Sequence, residues 1–94
     1  MLELSRESRP RLADKARLRY DRKGERYMLL YPEKGLVLNP TAAEIVKLCT
    51  GEHSVAAIVE RLASQYGKDA AAIEAEVLAL LGSLAERGLV KETA

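Results

Sequence analysis

Ninety-four residues suffice for one domain around a single core and not for two. A formal net charge of +1 removes the bulk attraction that would draw the chain to nucleic acid or an anionic membrane. With four Tyr, no Phe and no Trp, the core must be Leu, Val, Ile and Ala, and the lone Cys49 excludes an internal disulfide.

Met1 to Pro10 is charged and lacks the apolar segment of a secretory signal. No apolar run approaches the roughly 18 residues of a membrane span. A cytoplasmic domain without a membrane partner is expected. The charge is unevenly shared: residues 1–47 hold eleven Lys/Arg against seven Asp/Glu, and residues 48–94 four against seven.

Residues 1–12 mix Ser, Arg and Glu with scattered apolar residues and read as a flexible arm ahead of a single domain over 13–94. From Ala16 the pattern alternates, Ala16, Leu18 and Tyr20 against Arg17, Arg19 and Asp21, which predicts a strand with one wet face. Asp21 to Glu25 suits a hairpin loop. Arg26 to Tyr31 is apolar on both faces, as in a central strand. Pro32 to Gly35 reads as a tight turn in which Gly35 is free to take φ > 0. Leu36-Val37-Leu38, between Gly35 and Pro40, reads as a third strand. Three short strands joined by short turns form an antiparallel meander with the first and third at its edges.

Three helices follow. The first, from about Ala42 to Thr50, has the T-x-x-E spacing of a capping box at Thr41 and Glu44 and a stop at Gly51. The second opens at Ser54, carries Val55, Ile58, Val59, Leu62 and Tyr66, and stops at Gly67. The third opens at Asp69 and carries Ile73, Val77, Leu80, Leu81 and Leu84 on one stripe, with Leu78 off it, ending at Gly88. Leu89-Val90 reads as a tail packing back on the core. The expected fold class is α+β, winged-helix-like: a three-stranded antiparallel sheet followed by a three-helix bundle.

Reactive groups are few. His53 is the only histidine and has no second His or Cys spaced to join it around a metal. Cys49 falls on the apolar side of the first helix, the place of a buried inert thiol. The glycines stand singly, never in a phosphate-cradling cluster. No catalytic residue, metal or cofactor is expected. A winged helix that binds DNA is the alternative, but Asp69, Glu74, Glu76 and Glu86 on the third helix face only Arg87 and would be repelled by a groove.

The third strand is the more informative feature. Exposed sheet edges are usually blunted by charge, Pro or bulges. The first strand has Arg17 and Arg19, whereas Gly35 to Asn39 carries no charge. Such an edge is covered by the chain's own arm, pairs with a second copy as a homodimer, or accepts another chain's strand.

Met28-Leu29-Leu30-Tyr31-Pro32-Glu33, Leu38-Asn39-Pro40-Thr41-Ala42-Ala43-Glu44-Ile45 and Leu48-Cys49-Thr50-Gly51 closely resemble the PqqD family of pyrroloquinoline quinone (PQQ) biosynthesis. Ser54-Val55-Ala56-Ala57-Ile58-Val59 and Leu84-Ala85-Glu86-Arg87-Gly88-Leu89-Val90 fit the same family, so the resemblance covers about residues 9–92. The tryptophan often seen in the first strands is absent; Tyr20 and Tyr27 stand there. The resemblance implies a peptide chaperone, not an enzyme. It would bind the precursor peptide PqqA and present it to PqqE, a radical SAM enzyme that cross-links a Glu and a Tyr of that peptide. It implies a small winged-helix-like recognition element with the peptide added as a strand along Gly35, Leu36, Val37, Leu38 and Asn39. Apart from the resemblance, a monomer or weak homodimer is expected. The helix wall beside that strand would be drawn from Ile73, Val77, Leu80 and Leu81, which periodicity alone does not divide between groove and core.

Overall fold

The structure, a computed structural model, describes residues 4–32 and 34–93. Its elements run β1 (Pro10–Leu12), β2 (Arg17–Asp21), β3 (Arg26–Tyr31), β4 (Lys34–Leu38), α1 (Pro40–Lys47), α2 (Val55–Tyr66), α3 (Ala70–Glu86) and β5 (Val90–Glu92). This is the expected α+β architecture of a three-stranded antiparallel sheet followed by three helices, with a small second sheet of β1 and β5 added.

The meander pairs in the order β2-β3-β4, which makes β3 central and leaves β2 and β4 as edges. The period of two places Leu18, Tyr20, Tyr27, Leu29, Leu36 and Leu38 on one face and Arg17, Arg19, Met28, Leu30 and Val37 on the other. The first face meets the helices, and Leu29 at its centre is completely buried. Lys34 pairs with Tyr31, so β4 begins two residues before Leu36, inside the expected turn. Gly35 therefore lies inside the strand, and it is not among the glycines with positive φ. A Cβ there would sit 3.2 Å from the side-chain tips Leu30 Cδ2 and Met28 Cε, which would have to shift slightly to admit it.

Asn39 hands the sheet to the helices. Its side chain accepts a hydrogen bond from the Ala42 N–H at 2.7 Å, with Pro40 in the first turn. The expected capping box does not form, because the helix has already begun when the chain reaches Thr41. α1 also ends at Lys47, three residues short of the expected Thr50. α2 follows its sequence signals: Ser54 Oγ accepts from the Ala57 N–H at 3.1 Å, and Gly67 closes the helix in the left-handed region at φ 61°. In α3, Ile73, Val77, Leu81 and Leu84 form a continuous buried stripe, packed with Val55, Ile58, Val59 and Leu62 of α2 in one core. Leu78, expected off the stripe, is half-buried against the same core.

The amino-terminal segment departs from the reading as a flexible arm. Met1 to Glu3 lie outside the described residues, but residues 4–12 are built into the fold. The carbonyls of Ser8 and Arg6 accept hydrogen bonds from Val55 N–H (2.8 Å) and Ala56 N–H (2.9 Å), satisfying the first two free donors of α2. β1 then pairs with β5 on one side, and Arg11 bridges to Thr50 on the other. The cause is an alternation that Ser and Pro disguise: Ser8 and Pro10 point inward and are buried, while Arg9 and Arg11 face solvent. Leu89 and Val90 pack on the core as expected, at 0 % and 3 % exposure.

Candidate functional site

The register of β4 determines what its free edge offers. A two-residue connection makes Tyr31 and Lys34 the pair that closes the hairpin, and such a pair exchanges both backbone hydrogen bonds. Exchanging pairs then recur every second residue, at Leu29–Leu36 and Tyr27–Leu38. The N–H and C=O of Lys34, Leu36 and Leu38 are thus directed at β3, and those of Gly35 and Val37 point away from the sheet. Among the described residues no strand pairs with that edge. Val37 is 56 % exposed.

At the Asn39 end of this edge lies an open cleft of about 310 Å³. One wall is the start of α1, with Asn39, Thr41, Ala42 and Ile45; the other is α3, with Glu76, Ala79 and Leu80. The residues expected along the strand fall into two groups: Gly35 and Val37 are exposed, whereas Leu36 is half-buried and Leu38 buried on the core side. Asn39 spends its side chain on the helix cap.

Of the four residues expected in the helix wall, Ile73, Val77 and Leu81 are at most 1 % exposed and belong to the core. Only Leu80 stands at the surface of the cleft. The three buried residues hold α3 in place behind the wall and do not form its face. Thr41, Ala42, Ile45, Glu76 and Ala79 lie outside the sequence expectation. Once Leu80 is placed in the cleft, helical spacing supplies two of them, because positions 76, 79 and 80 share one face.

The remaining reactive groups do not converge on this cleft. Among the described residues, no group of three or more His, Cys, Asp and Glu could hold a metal ion. Cys49 is buried, its Sγ donating to the Ile45 carbonyl at 3.2 Å. Burial pushes this thiol up to about 12, so it stays protonated and is a poor nucleophile. At the other side of the Leu38 end, Lys47 Nζ lies 4.4 Å from the centre of the Tyr27 ring and 3.7 Å from Glu44. Among the described residues no helix is long and apolar enough to cross a membrane.

The sequence pattern of coenzyme PQQ synthesis protein D (PqqD) matches residues 26–90, a span that contains β3, the β4 edge and both walls of the cleft. The chain belongs to the PqqD family. A PqqA binding protein of Rhodopseudomonas palustris (strain HaA2) is 43 % identical over 91 residues, covering 97 % of this chain and 89 % of that protein. The solution structure of the PqqD truncation of Methylobacterium extorquens PqqCD, a stand-alone recognition element for ribosomally synthesised and modified peptides, is 34 % identical. It superposes with a TM-score of 0.83 over 95 % of each chain. A lasso peptide synthetase B1 complexed with its leader peptide is 29 % identical, with a TM-score of 0.75 over 88 % of this PqqD-family chain and 98 % of that one.

Proposed function

We propose that this protein is a peptide chaperone of pyrroloquinoline quinone biosynthesis, which binds the precursor peptide PqqA as a strand added to β4 and presents it to the radical SAM enzyme PqqE. The observation that carries this reading is the open β4 edge, with Gly35 and Val37 directing their backbone groups outward beside a cleft walled by α3. Family membership and relatives named for PqqA binding support the choice of peptide. The likeness to a chain complexed with a leader peptide supports a peptide as the occupant.

Backbone hydrogen bonds to Gly35 and Val37 set the register of the added strand, and alternate side chains enter the cleft at Thr41, Ala42, Ala79 and Leu80. The protein supplies position, and the bond-forming chemistry belongs to the enzyme. Titrating the ¹⁵N-labelled protein with PqqA tests this. The amide shifts should move along residues 35–39 and 76–80. Shifts confined to β2 or to the exposed face of α2, or none at all, would refute the site.

A further inference from the structure

The face of the meander turned away from the helices is not needed for the core, yet its centre is apolar. In register, Arg19, Met28 and Val37 form one cross-strand row, and Arg17, Leu30 and Gly35 the next. Because Gly35 has no side chain, Met28 and Leu30 reach within 3.2 Å of where its Cβ would stand. The apolar surface therefore continues to the β4 edge.

The opposite rim is cationic. Arg17 and Arg19 are exposed on β2, and Arg22 and Lys23 on the β2–β3 loop. None of the four makes an ion pair among the described residues, and the neighbouring Asp21 carboxylate is taken by Arg26 at 3.5 Å. An open hollow of about 490 Å³ lies between rim and centre, lined by Arg19, Arg22, Lys23, Met28 and Leu30 together with Tyr20 and Asp21. An apolar centre with a charged rim is the anatomy of a protein interface, and unpaired cations call for carboxylates opposite. Phosphate alone would leave the apolar centre unused.

We propose that this outer face docks an acidic-rimmed, apolar-centred surface of the enzyme that modifies the bound peptide. The proposal rests on the strand-addition reading above. A strand added to β4 sends one set of side chains into the α3 cleft and the alternate set onto this outer face, next to Val37. The peptide then forms part of the docking surface, and the enzyme binds the loaded protein more tightly than the empty one. By reciprocity, the enzyme tightens the grip on the peptide by the same factor.

The test measures binding of purified PqqE to the PqqA-saturated protein. In Arg17→Glu/Arg19→Glu, PqqE affinity should fall by at least about tenfold, while PqqA affinity stays within about threefold of the original. Arg61→Glu/Lys68→Glu changes the net charge equally at exposed positions remote from this face and should leave PqqE affinity unchanged. Arg22→Glu/Lys23→Glu, in the loop, serves as a second variant should the β2 substitutions disturb folding. Unchanged PqqE affinity in the rim variants, an equal loss in the remote control, or capture of random duplex DNA by this face would overturn the proposal. Failure of the unsubstituted protein to bind PqqA would instead refute the strand-addition reading, and this proposal with it.

Discussion

Replacing Val37 with proline tests the proposed strand addition at β4 apart from the sheet that would receive the strand. The Val37 N–H points away from β3, so proline there removes no hydrogen bond of the β3–β4 ladder, and sheets tolerate proline at such edge positions. It does remove a donor aimed at the incoming strand, strands that strand's carbonyl, and fills the space with a ring. Losing one hydrogen bond and leaving its partner unmet costs about 1–3 kcal/mol, a weakening of roughly 5- to 150-fold. Val37→Ala keeps the donor and should lose less. Leu36→Pro is the inverse control, because the Leu36 N–H is directed at Leu29 on β3 and its loss should destabilise the fold itself. Fluorescence anisotropy with labelled PqqA measures the affinities, and an amide correlation spectrum verifies that Val37→Pro retains the native fold. Unchanged affinity in folded Val37→Pro would place the peptide elsewhere. Unfolding of Val37→Pro would refute the register argument.

Leu80→Glu should weaken PqqA binding about tenfold with little loss of stability, whereas Leu81→Ala one position on should lower stability by about 3 kcal/mol through a core cavity. Urea titration and anisotropy together distinguish them, and equal behaviour of the two variants would contradict the division of α3 into wall and core. Deleting residues 1–9 uncaps Val55 and Ala56, so stability should fall by about 2 kcal/mol and these two amides should exchange faster with solvent; unchanged exchange would mean that the segment is dispensable. Burial pushes the Cys49 thiol up from an ordinary value of 9.0 to about 12 in the folded chain. The unfolded chain thus loses its proton first, and this contribution to stability, full below the lower value, disappears as pH rises toward the upper one. Relative to Cys49→Ala, the urea midpoint should decline between pH 8 and pH 11, and a parallel pH dependence of the two would refute the burial argument.

Where the sequence signal is local, it is readable. Ser54 and Gly67 bound α2 because capping and left-handed closure depend on single residues with distinctive chemistry. The three meander strands follow from alternation between turn residues, and the free third edge follows from their order. Two competing caps defeated the start of α1: Asn39-Pro40 and Thr41–Glu44 both satisfy local rules, and the strand's end at Leu38 selects the earlier one. The β1 segment was hidden because Ser8 and Pro10 are not apolar markers, and its partner β5 lies at the far end of the chain. The α3 wall was only partly legible for a geometric reason. Ile73, Val77 and Leu81 lie one above another and face α2, whereas Leu80 stands at the stripe's border; periodicity identifies the stripe without telling which border meets a cleft.

A three-stranded sheet has two edges, and the chain treats them differently. β2 carries exposed Arg17 and Arg19, the charges that discourage strand pairing, whereas β4 after Lys34 carries none. The β4 edge is also short, because Asn39 and Pro40 turn the chain into α1. Only Gly35 and Val37 direct both backbone groups outward within the strand, so a docked strand gains about four hydrogen bonds there, worth net roughly 0.5–1.5 kcal/mol each. Micromolar affinity needs about 8 kcal/mol beyond the cost of association, which these bonds do not reach. The remainder must come from side chains, and the apolar surface within reach is Thr41, Ala42, Ala79 and Leu80 on one side and Val37, Met28 and Leu30 on the other. On the strand-addition proposal, the edge would therefore fix register, while the two flanking surfaces would decide which peptide is held. A polyglycine-substituted PqqA that keeps every backbone group should accordingly bind too weakly to measure at micromolar concentrations, and retention of full affinity would show that the backbone alone suffices.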